Sequence, residues 1–280
     1  MSLPPEENRL ACYRGLMHVH SIFSYDGSVE IPTLAETLRA ENLDFAVMVE
    51  HVESFDGEEF ANYLAECSKH STDDLLFIPG MEYTFHEGDA RIEVILIGEQ
   101  AYVEATSLAV VLEHKKRHEP ILLLPHPLKF KVIPNEVLAA VELIEVWNRR
   151  YDGGAFVPAP NISLYQKQVR SSGSRGVFAI GGVDFHNYGD PLDVVVAVKC
   201  QTLGAAEVLA ALRGGQFHTE YGDLLIPSHL GLGAGLLIMG KLKRGIRKFL
   251  YQILRRIASL PIFKMELFRS SKKKIKAWVH

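Results

Sequence analysis

Cysteine is scarce in this chain, which excludes a fold held together by disulfide bonds. The three cysteines, Cys12, Cys67 and Cys200, lie far apart and include no C-x-x-C pair. They form no disulfide framework, and this pattern predicts a reducing compartment. The composition is otherwise ordinary, with 48% hydrophobic and 23% charged residues in 280. It is typical of one large globular domain or two small ones.

Targeting and nucleotide-binding signals are also missing. The first segment, MSLPPEENRL, has no apolar run and carries acidic residues, unlike a secretory signal. The longest apolar stretch near the C-terminus, Leu230–Met239, is too short to span a bilayer. No glycine-rich loop follows the first predicted strand, which argues against a dinucleotide-binding fold. The missing secretory signal and membrane span, together with the reducing compartment that the cysteines indicate, predict a cytoplasmic protein.

Acidic charge is nearly absent from the last forty residues. From Lys241 onward there are thirteen basic residues and one acidic residue, Glu266, although the whole chain has a net charge of −4. From Leu242 the apolar residues recur at helical spacing, which predicts a basic amphipathic helix after a hinge at 231–240. Such a helix binds a membrane surface or nucleic acid, or docks on the acidic body. A membrane-bound tail would place the protein peripherally on the inner face of the membrane.

Short apolar runs alternate with helical stretches along the first 220 residues. This alternation predicts an α/β fold with a parallel sheet, and it favours a closed barrel over an open doubly wound sheet. The predicted strands are Tyr13–His20, Phe45–His51, Leu75–Tyr83, Arg91–Ile97, Ile121–His126, Leu143–Asn148, Val177–Asp184 and Asp193–Lys199. The predicted helices are Pro32–Asn42, Glu58–His70, Val103–Glu119, Asn135–Val141, Ser163–Ser171 and Ala205–Arg213.

Metal-binding residue types gather at the ends of these strands, where barrel enzymes carry their chemistry. His18 and His20 flank Val19 on the first strand, so period-two alternation places both imidazoles on one face. Asp184 and His186 form a second pair with the same spacing, at the end of the predicted strand Val177–Asp184. A single histidine at a strand end is more often a packing residue than a ligand, but here several predicted strands end in residues of metal-binding types. We therefore expect a metal centre.

Seven motifs carry a resemblance to a known family. They are HVHSIFSYDGS at 18–28, VEH ending at His51, PGMEYT at 79–84, LPHP at 124–127, EVWN at 145–148, GGVDFH at 181–186 and ALRGGQFHTE at 211–220. In this order the chain resembles the polymerase and histidinol phosphatase (PHP) superfamily over roughly residues 13 to 222. The resemblance implies a distorted seven-stranded barrel at 1–228, followed by the basic helical tail at 229–280.

The resemblance also implies a ligand set for two or three divalent ions. His18, His20, Glu82 and Asp184 correspond to one site, and Asp26, His51 and His186 to a second. Glu82 and His126 correspond to a third, to which Glu93 is the candidate addition. Such mixed nitrogen and oxygen ligands suit zinc, manganese or iron.

Two strands depart from the family pattern. The second ends Val-Glu-His in place of Thr-Asp-His, and Glu50 is expected to orient a ligand histidine. The fourth offers Glu93 where the family has histidine. Glu93 is either a metal ligand or the partner of Arg91 or a lysine, and His86 is an alternative ligand. If neither residue serves, the third site is weak or empty.

The implied activity is hydrolysis of a phosphoester by a hydroxide that bridges two metals. Glu50 or Asp184 is expected to accept the proton of the water. Arg149, with Arg150, either clamps the substrate phosphate or forms a solvated pair. The substrate would be a small phosphorylated compound or a nucleotide. Two alternatives remain open, namely a nuclease or nucleotide phosphatase of the same fold, and a catalytically silent, metal-stabilised binding module.

Overall fold

The structure is a computed structural model that describes residues 10–87, 90–153, 157–172 and 176–230. Residues 231–280 lie outside this range, so the expected basic helix, its hinge and its three kinds of partner stay predictions. No helix in the described ranges is both long enough and apolar enough to cross a bilayer. The three cysteines carry free thiols, with Cys12 exposed and the other two buried.

The described part of the chain contains twelve strands and seven α-helices. The strands are β1 (Ala11–Val19), β2 (Phe45–Met48), β3 (Glu50–His51), β4 (Leu76–Ile78), β5 (Gly80–Glu87), β6 (Ala90–Ile97), β7 (Ile121–Leu124), β8 (Leu143–Asn148), β9 (Phe178–Gly182), β10 (Val195–Cys200), β11 (Phe217–Tyr221) and β12 (Leu224–Pro227). The helices are α1 (Ile31–Ala40), α2 (Gly57–His70), α3 (Leu108–His118), α4 (Asn135–Ala140), α5 (Arg149–Asp152), α6 (Ala159–Ser172) and α7 (Ala205–Arg213).

These strands form two mixed six-stranded sheets, so the predicted α/β class is confirmed. One sheet has the order β12-β11-β10-β1-β2-β4 and the other β3-β5-β6-β7-β8-β9. The expectation of a parallel sheet is wrong at β6, which is antiparallel to both neighbours, and at β10, which is antiparallel to β1. The β5–β6 connection is a hairpin, and a hairpin makes its two strands antiparallel.

Two predicted strands are each split in the structure, and each crosses from one sheet to the other. The run from Phe45 to His51 breaks at Val49, and the run from Leu75 onward breaks at Pro79. Proline has no amide hydrogen to donate to a sheet, which explains the second break. As a result β3 and β5 carry Glu50, His51 and Glu82 in the second sheet, while β1 carries His18 in the first.

The hydrophobic core lies beneath this polar edge. Leu123, Ile180 and Val196, from β7, β9 and β10, are fully buried in it or nearly so. Helix α2 shows how local sequence fixes the surrounding elements. Its N-cap residue Asp56 accepts hydrogen bonds from the Glu58 and Glu59 amides, and the Glu59 side chain accepts from the Asp56 amide. This capping box fixes where the helix begins.

Candidate metal centre

A bulge in β1 brings the first two histidines together. The pairing of β1 with β2 shifts register between Met17 and Val19, and His18 has a φ of 67°. The simple alternation expected from sequence is therefore interrupted at His18. The two imidazoles nevertheless lie side by side, with ring centroids 5.2 Å apart. The bulge re-aims the His18 side chain, as bulges commonly do near functional sites.

Glu82 and Asp184 are the carboxylates that connect the histidines. His18 Nε2 lies 3.7 Å from Glu82 Oε2 and 3.7 Å from Asp184 Oδ1. His20 Nε2 lies 3.6 Å and 3.8 Å from the same two oxygens. These separations are too long for hydrogen bonds but fit ligands around a shared cation.

Asp26 joins two further histidines at the mouth of the site. Its two carboxylate oxygens lie 3.4 Å from His51 Nε2 and 3.2 Å from His186 Nε2. On the inner side, His51 Nδ1 lies 3.4 Å from Glu82 Oε2. Asp26 therefore extends the cluster outward, to a side chain that is 38% exposed.

Nine residues that sequence reasoning proposed as ligands all fall in one cluster. Four overlapping groups have ligand atoms within 4.8 Å of one another. The groups are His20, Asp26, His51 and His186; His18, His20 and Glu82; His18, His126 and Asp184; and Glu82, Glu93 and His126. Because the groups share members, their candidate ligand atoms form one continuous cluster and not several separate ones.

Unpartnered buried atoms show that the cluster fits divalent metal ions. Within the described ranges, buried polar atoms that make no hydrogen bond include His18 Nε2, His20 Nε2, His51 Nδ1, Glu82 Oε1 and His126 Nδ1. Leaving such a group unsatisfied costs about 1–3 kcal/mol. Metal coordination would satisfy these atoms together, because neutral imidazole and carboxylate are the common zinc, manganese and iron donors.

Glu145 on β8 holds two of the histidines in place. Its Oε1 lies 3.1 Å from His18 Nδ1, and its Oε2 accepts a hydrogen bond from the His126 amide at 2.7 Å. Asn148 donates to Glu145 Oε2 and also to Asp184 Oδ2, at 2.8 and 3.1 Å. A carboxylate at Nδ1 keeps the proton on that nitrogen and leaves Nε2 facing the cluster.

Glu50 acts on His20 through Ser24. Ser24 Oγ donates to Glu50 Oε2 at 2.5 Å and lies 3.1 Å from His20 Nδ1. Ser21 donates to Glu50 from both its amide and its hydroxyl. Because Glu50 is fully buried and both its oxygens accept hydrogen bonds, its contacts suit the predicted orienting role better than that of a proton acceptor.

Three of the clustered residues have left-handed backbones. His18, His126 and Asp184 have φ values of 67°, 24° and 54°. Residues other than glycine rarely adopt these angles, which cost about 1–3 kcal/mol each. They are also the three members of one ligand group. Local strain therefore coincides with the site.

The pKa values of His18, in β1, and of His20, just after it, are shifted in opposite directions. Burial lowers the pKa of His18, but the Asp184 and Glu145 carboxylates outweigh burial and raise this pKa well above the ordinary value. Burial also lowers the pKa of His20, and neighbouring histidines add to that effect, so His20 is held neutral. A neutral imidazole is the form that binds a metal ion, so a bound ion would displace the proton that the carboxylates favour on His18.

Glu93, on the fourth predicted strand, has both of the surroundings that the sequence left open. Its carboxylate forms ion pairs with Arg91 and with Lys129, the latter at 3.1 Å. It also lies 3.5 Å from His126 Nδ1. Glu93 is thus paired with two basic side chains and also belongs to the cluster, so its role as a metal ligand stays a prediction. His86 is exposed and belongs to none of the ligand groups among the described residues.

A small cavity of about 160 Å³ opens onto the cluster. Besides the clustered ligands, it is lined by Tyr25, Arg91, Lys129 and Tyr151. Arg149 is not among its lining residues, and it forms a bidentate ion pair with Asp193 at 2.7 and 3.1 Å. A phosphate clamp at Arg149 would require that pair to break, so this role stays a prediction.

Sequence reasoning missed several residues that shape the site. Glu145 and Asn148 lay within the EVWN motif, so their strand-end position was the available signal. Ser24 falls between His20 and Asp26 and carries no signal of its own. Lys129 follows the LPHP motif in a short 3₁₀ turn, where lysine is usually a solvated residue.

Comparison with known proteins gives no match in sequence but a clear match in fold. No family model matches the chain, and no curated protein matches it significantly. A two-domain protein from Bacteroides vulgatus ATCC 8482, containing a predicted PHP-like metal-dependent phosphoesterase, superposes with a TM-score of 0.59. The two are 18% identical, over 79% of this chain and 68% of that one.

Endonuclease Q shares the fold at a lower level. The lesion-specific enzyme from Pyrococcus furiosus has a TM-score of 0.50 and 12% identity, over 73% of this chain and 56% of its own. A complex of endonuclease Q with a 27-mer duplex, which has an abasic lesion at the active site, has a TM-score of 0.50 and 13% identity, over 73% and 57%. The PHP resemblance that the motifs indicated is therefore confirmed at the level of the fold.

Proposed function

We propose that this protein is a metal-dependent phosphoester hydrolase. One observation carries the proposal, namely the convergence of buried imidazole and carboxylate atoms that have no hydrogen-bond partners. Maintaining so many unsatisfied groups, two of them on the strained backbone of His18 and His126, is explained by cation binding and not by packing. The PHP-like fold supports the same chemistry.

The residues would hold the metals in two adjoining sets. His18, His20, Glu82 and Asp184 would hold one ion, and Asp26, His51 and His186 a second. Bound divalent ions would supply an activated water and neutralise charge on a phosphoryl group. Zinc, manganese and iron all suit these ligands.

The chain's own residues supply orientation and proton transfer. Glu145 and Ser24 fix the rings of His18 and His20. Asp184 is the better candidate to accept a proton, because it lines the cavity whereas Glu50 does not. Asn148 donates to Asp184 Oδ2 and so directs Oδ1 toward the histidines. The small volume of the cavity suits a phosphoryl group more than a whole substrate.

A nuclease or nucleotide phosphatase is the second candidate. Tyr25 and Tyr151 line the cavity and are 66% and 45% exposed. Exposed aromatic rings at the mouth of a site can stack on nucleobases. The third candidate is a catalytically silent module. The observation in its favour is that Glu93 forms ion pairs with Arg91 and Lys129, which would leave the third metal site weak or empty.

We also propose that the two sheets close into the distorted seven-stranded PHP barrel. The runs through β2–β3 and β4–β5 each join one sheet to the other. On the opposite side, Val19 forms a parallel bridge with Phe185, whose amide donates to the His18 carbonyl. Slow hydrogen exchange of the Val183 and Phe185 amides is expected. Exchange at the rate of exposed loop amides would contradict closure.

The function is tested by metal analysis followed by hydrolysis assays. Purified protein reconstituted with Mn²⁺ is given a chromogenic phosphomonoester, a phosphodiester and a short RNA. We expect bound metal and turnover of at least one substrate, with loss of turnover in His20→Ala and retained activity in His118→Ala, an exposed histidine on α3. Preference for the RNA would favour the nuclease. Metal binding without turnover would leave the silent module, and absence of metal would refute all three.

A further inference from the structure

The Glu93 carboxylate is already neutralised by two positively charged side chains. It lies on β6 with its side chain 1% exposed. Lys129 Nζ lies 3.3 Å from its Oε1 and 3.1 Å from its Oε2, and the Arg91 guanidinium pairs with Oε1. Although Oε2 accepts no hydrogen bond, the two ion pairs already balance the charge of Glu93, which weakens its attraction for a further cation.

Lys129 is held on its other side by Tyr151. The ammonium donates a hydrogen bond to Tyr151 Oη at 3.0 Å and lies 4.6 Å from the centre of the same ring. Its side chain is 27% exposed. Burial lowers the pKa of Lys129, but Tyr151 and Glu93 outweigh this and raise it, so the ammonium stays charged. These contacts fix the ammonium in one place.

That place adjoins the third ligand group. A third ion would lie among Glu82, Glu93 and His126, whose candidate ligand atoms lie within 4.8 Å of one another. His126 Nδ1 lies 3.5 Å from Glu93 Oε2, the same oxygen that lies 3.1 Å from Lys129 Nζ. A divalent ion there would face a fixed positive charge across one carboxylate. Like charges so close disfavour simultaneous occupancy.

We propose that the Lys129 ammonium, with Arg91, takes the place of a third metal ion, so that the centre holds two divalent ions. The proposal rests on the proposed function, because it requires the other two sites to bind metal. His18, His20, Glu82 and Asp184 would serve the first ion, and Asp26, His51 and His186 the second. Lys129 and Arg91 line the same cavity and supply positive charge where the third ion would otherwise do so.

Metal stoichiometry of the full chain tests this directly. Protein stripped with chelator is titrated with Mn²⁺, passed through a desalting column and analysed by elemental mass spectrometry. We expect two ions per chain for the wild type and for Lys131→Ala, an exposed lysine two residues away. We expect a third ion in Arg91→Gln/Lys129→Met, in which Glu93 loses both partners. Lys129→Met alone, in which Glu93 keeps Arg91, is expected to bind a third ion more weakly than the double variant does.

Five outcomes decide the matter. Two ions in the wild type and three in the double variant support the proposal. Three ions in the wild type overturn it and leave the proposed function standing. Two ions in a double variant with unchanged circular dichroism overturn it as well. No bound ion in any protein overturns the proposed function along with it. If the double variant fails to fold, the Lys129→Met protein is titrated in its place. A metal stoichiometry and affinity equal to those of the wild type would then overturn the proposal.

Discussion

His18 Nδ1 and Glu145 Oε1 lie 3.1 Å apart, although 127 positions separate the two residues in the chain. Both side chains are essentially inaccessible to solvent, at 0% and 1% exposure. The contact joins β1 of one sheet to β8 of the other. Because Glu145 also accepts from the His126 amide, one carboxylate positions two candidate ligands, one in β1 and one just after β7. The geometry of the centre therefore depends on a residue that would touch no metal.

Glu145→Gln is expected to weaken metal binding by about 10–100-fold, the usual effect of losing a partner behind a ligand histidine. Glutamine keeps the size of the side chain but removes the charge that fixes the proton on His18 Nδ1. Calorimetric titration of the stripped protein with Mn²⁺ measures the change. Glu136→Gln, an exposed residue on α4, is the matched control. Equal affinities in the two variants would show that Glu145 does not position His18.

Gly182, at the end of β9, has no side chain and so leaves space for the contact between Glu145 and His18. A Cβ added there would lie 2.0 Å from Glu145 Oε1 and 3.1 Å from the Cβ of His18. Gly182→Ala is therefore expected to displace Glu145, with weaker Mn²⁺ binding and a loss of stability of about 1–3 kcal/mol. Urea unfolding and metal titration measure the two effects.

The control is Gly57→Ala, because a Cβ at Gly57 meets nothing within 4 Å. That variant should bind Mn²⁺ as the wild type does. A Gly182→Ala protein with wild-type affinity would mean that the Glu145 side chain can shift without moving His18.

Much of the fold was predictable because apolar runs record burial. All eight predicted strands have counterparts, and β8 matches its predicted bounds of Leu143–Asn148. Helix α7 likewise spans Ala205–Arg213 as predicted. Strand direction was not predictable in the same way, because the apolar pattern of a buried strand is the same in parallel and antiparallel sheets. The two terminal strands β11 and β12 were missed, since their alternation is weak and partly exposed.

For the candidate site, as for the fold, sequence predicted which residues take part but not how they are oriented. Residue types at strand ends predicted the clustered residues, because strand ends on one edge of a sheet converge. Orientation was not predictable, since the bulge at His18 and the left-handed backbone of Asp184 depend on tertiary contacts. The partners of Glu93 illustrate the limit. Sequence offered Arg91 or an unspecified lysine as the partner, and it could not single out Lys129, which comes from a turn 36 positions away.

Ser24 links Glu50 to His20, and its removal should affect both stability and metal binding. Its hydroxyl donates to Glu50 Oε2 and accepts from the His51 amide at 3.0 Å. In Ser24→Ala the buried carboxylate loses a partner, so we expect a loss of about 1–3 kcal/mol in the free energy of unfolding. Weaker Mn²⁺ binding should accompany it, because the His20 ring loses its restraint.

Ser163→Ala is the control for this experiment, since Ser163 is exposed and bonds only the carbonyl one turn earlier in α6. It should change neither quantity measurably. A Ser24→Ala protein that is destabilised but binds Mn²⁺ with wild-type affinity would separate Glu50 from the metal centre.

Asp152, at the end of α5, should make the stability of the stripped protein depend on pH. Burial raises the pKa of Asp152 from its ordinary 3.8 to about 7, although its carboxylate accepts from the Asn148 amide and the Asn161 side chain. A raised pKa means that the folded state binds the proton more tightly than the unfolded chain. The stability contributed by this group is therefore fully present below pH 3.8 and is lost as the pH rises through about 7.

Asp152→Asn removes this titration while keeping an oxygen to accept both hydrogen bonds. The variant should therefore gain stability relative to the wild type as the pH rises from 4 to 7, by up to about 1.4 kcal/mol per pH unit, and the difference should level off above pH 7. Urea unfolding of chelator-stripped protein at pH 5, 6, 7 and 8 measures it. Asp73→Asn, at an exposed position, is the control substitution. A difference in Asp152→Asn that is constant with pH would show that Asp152 ionises in the folded protein as it does in the unfolded chain.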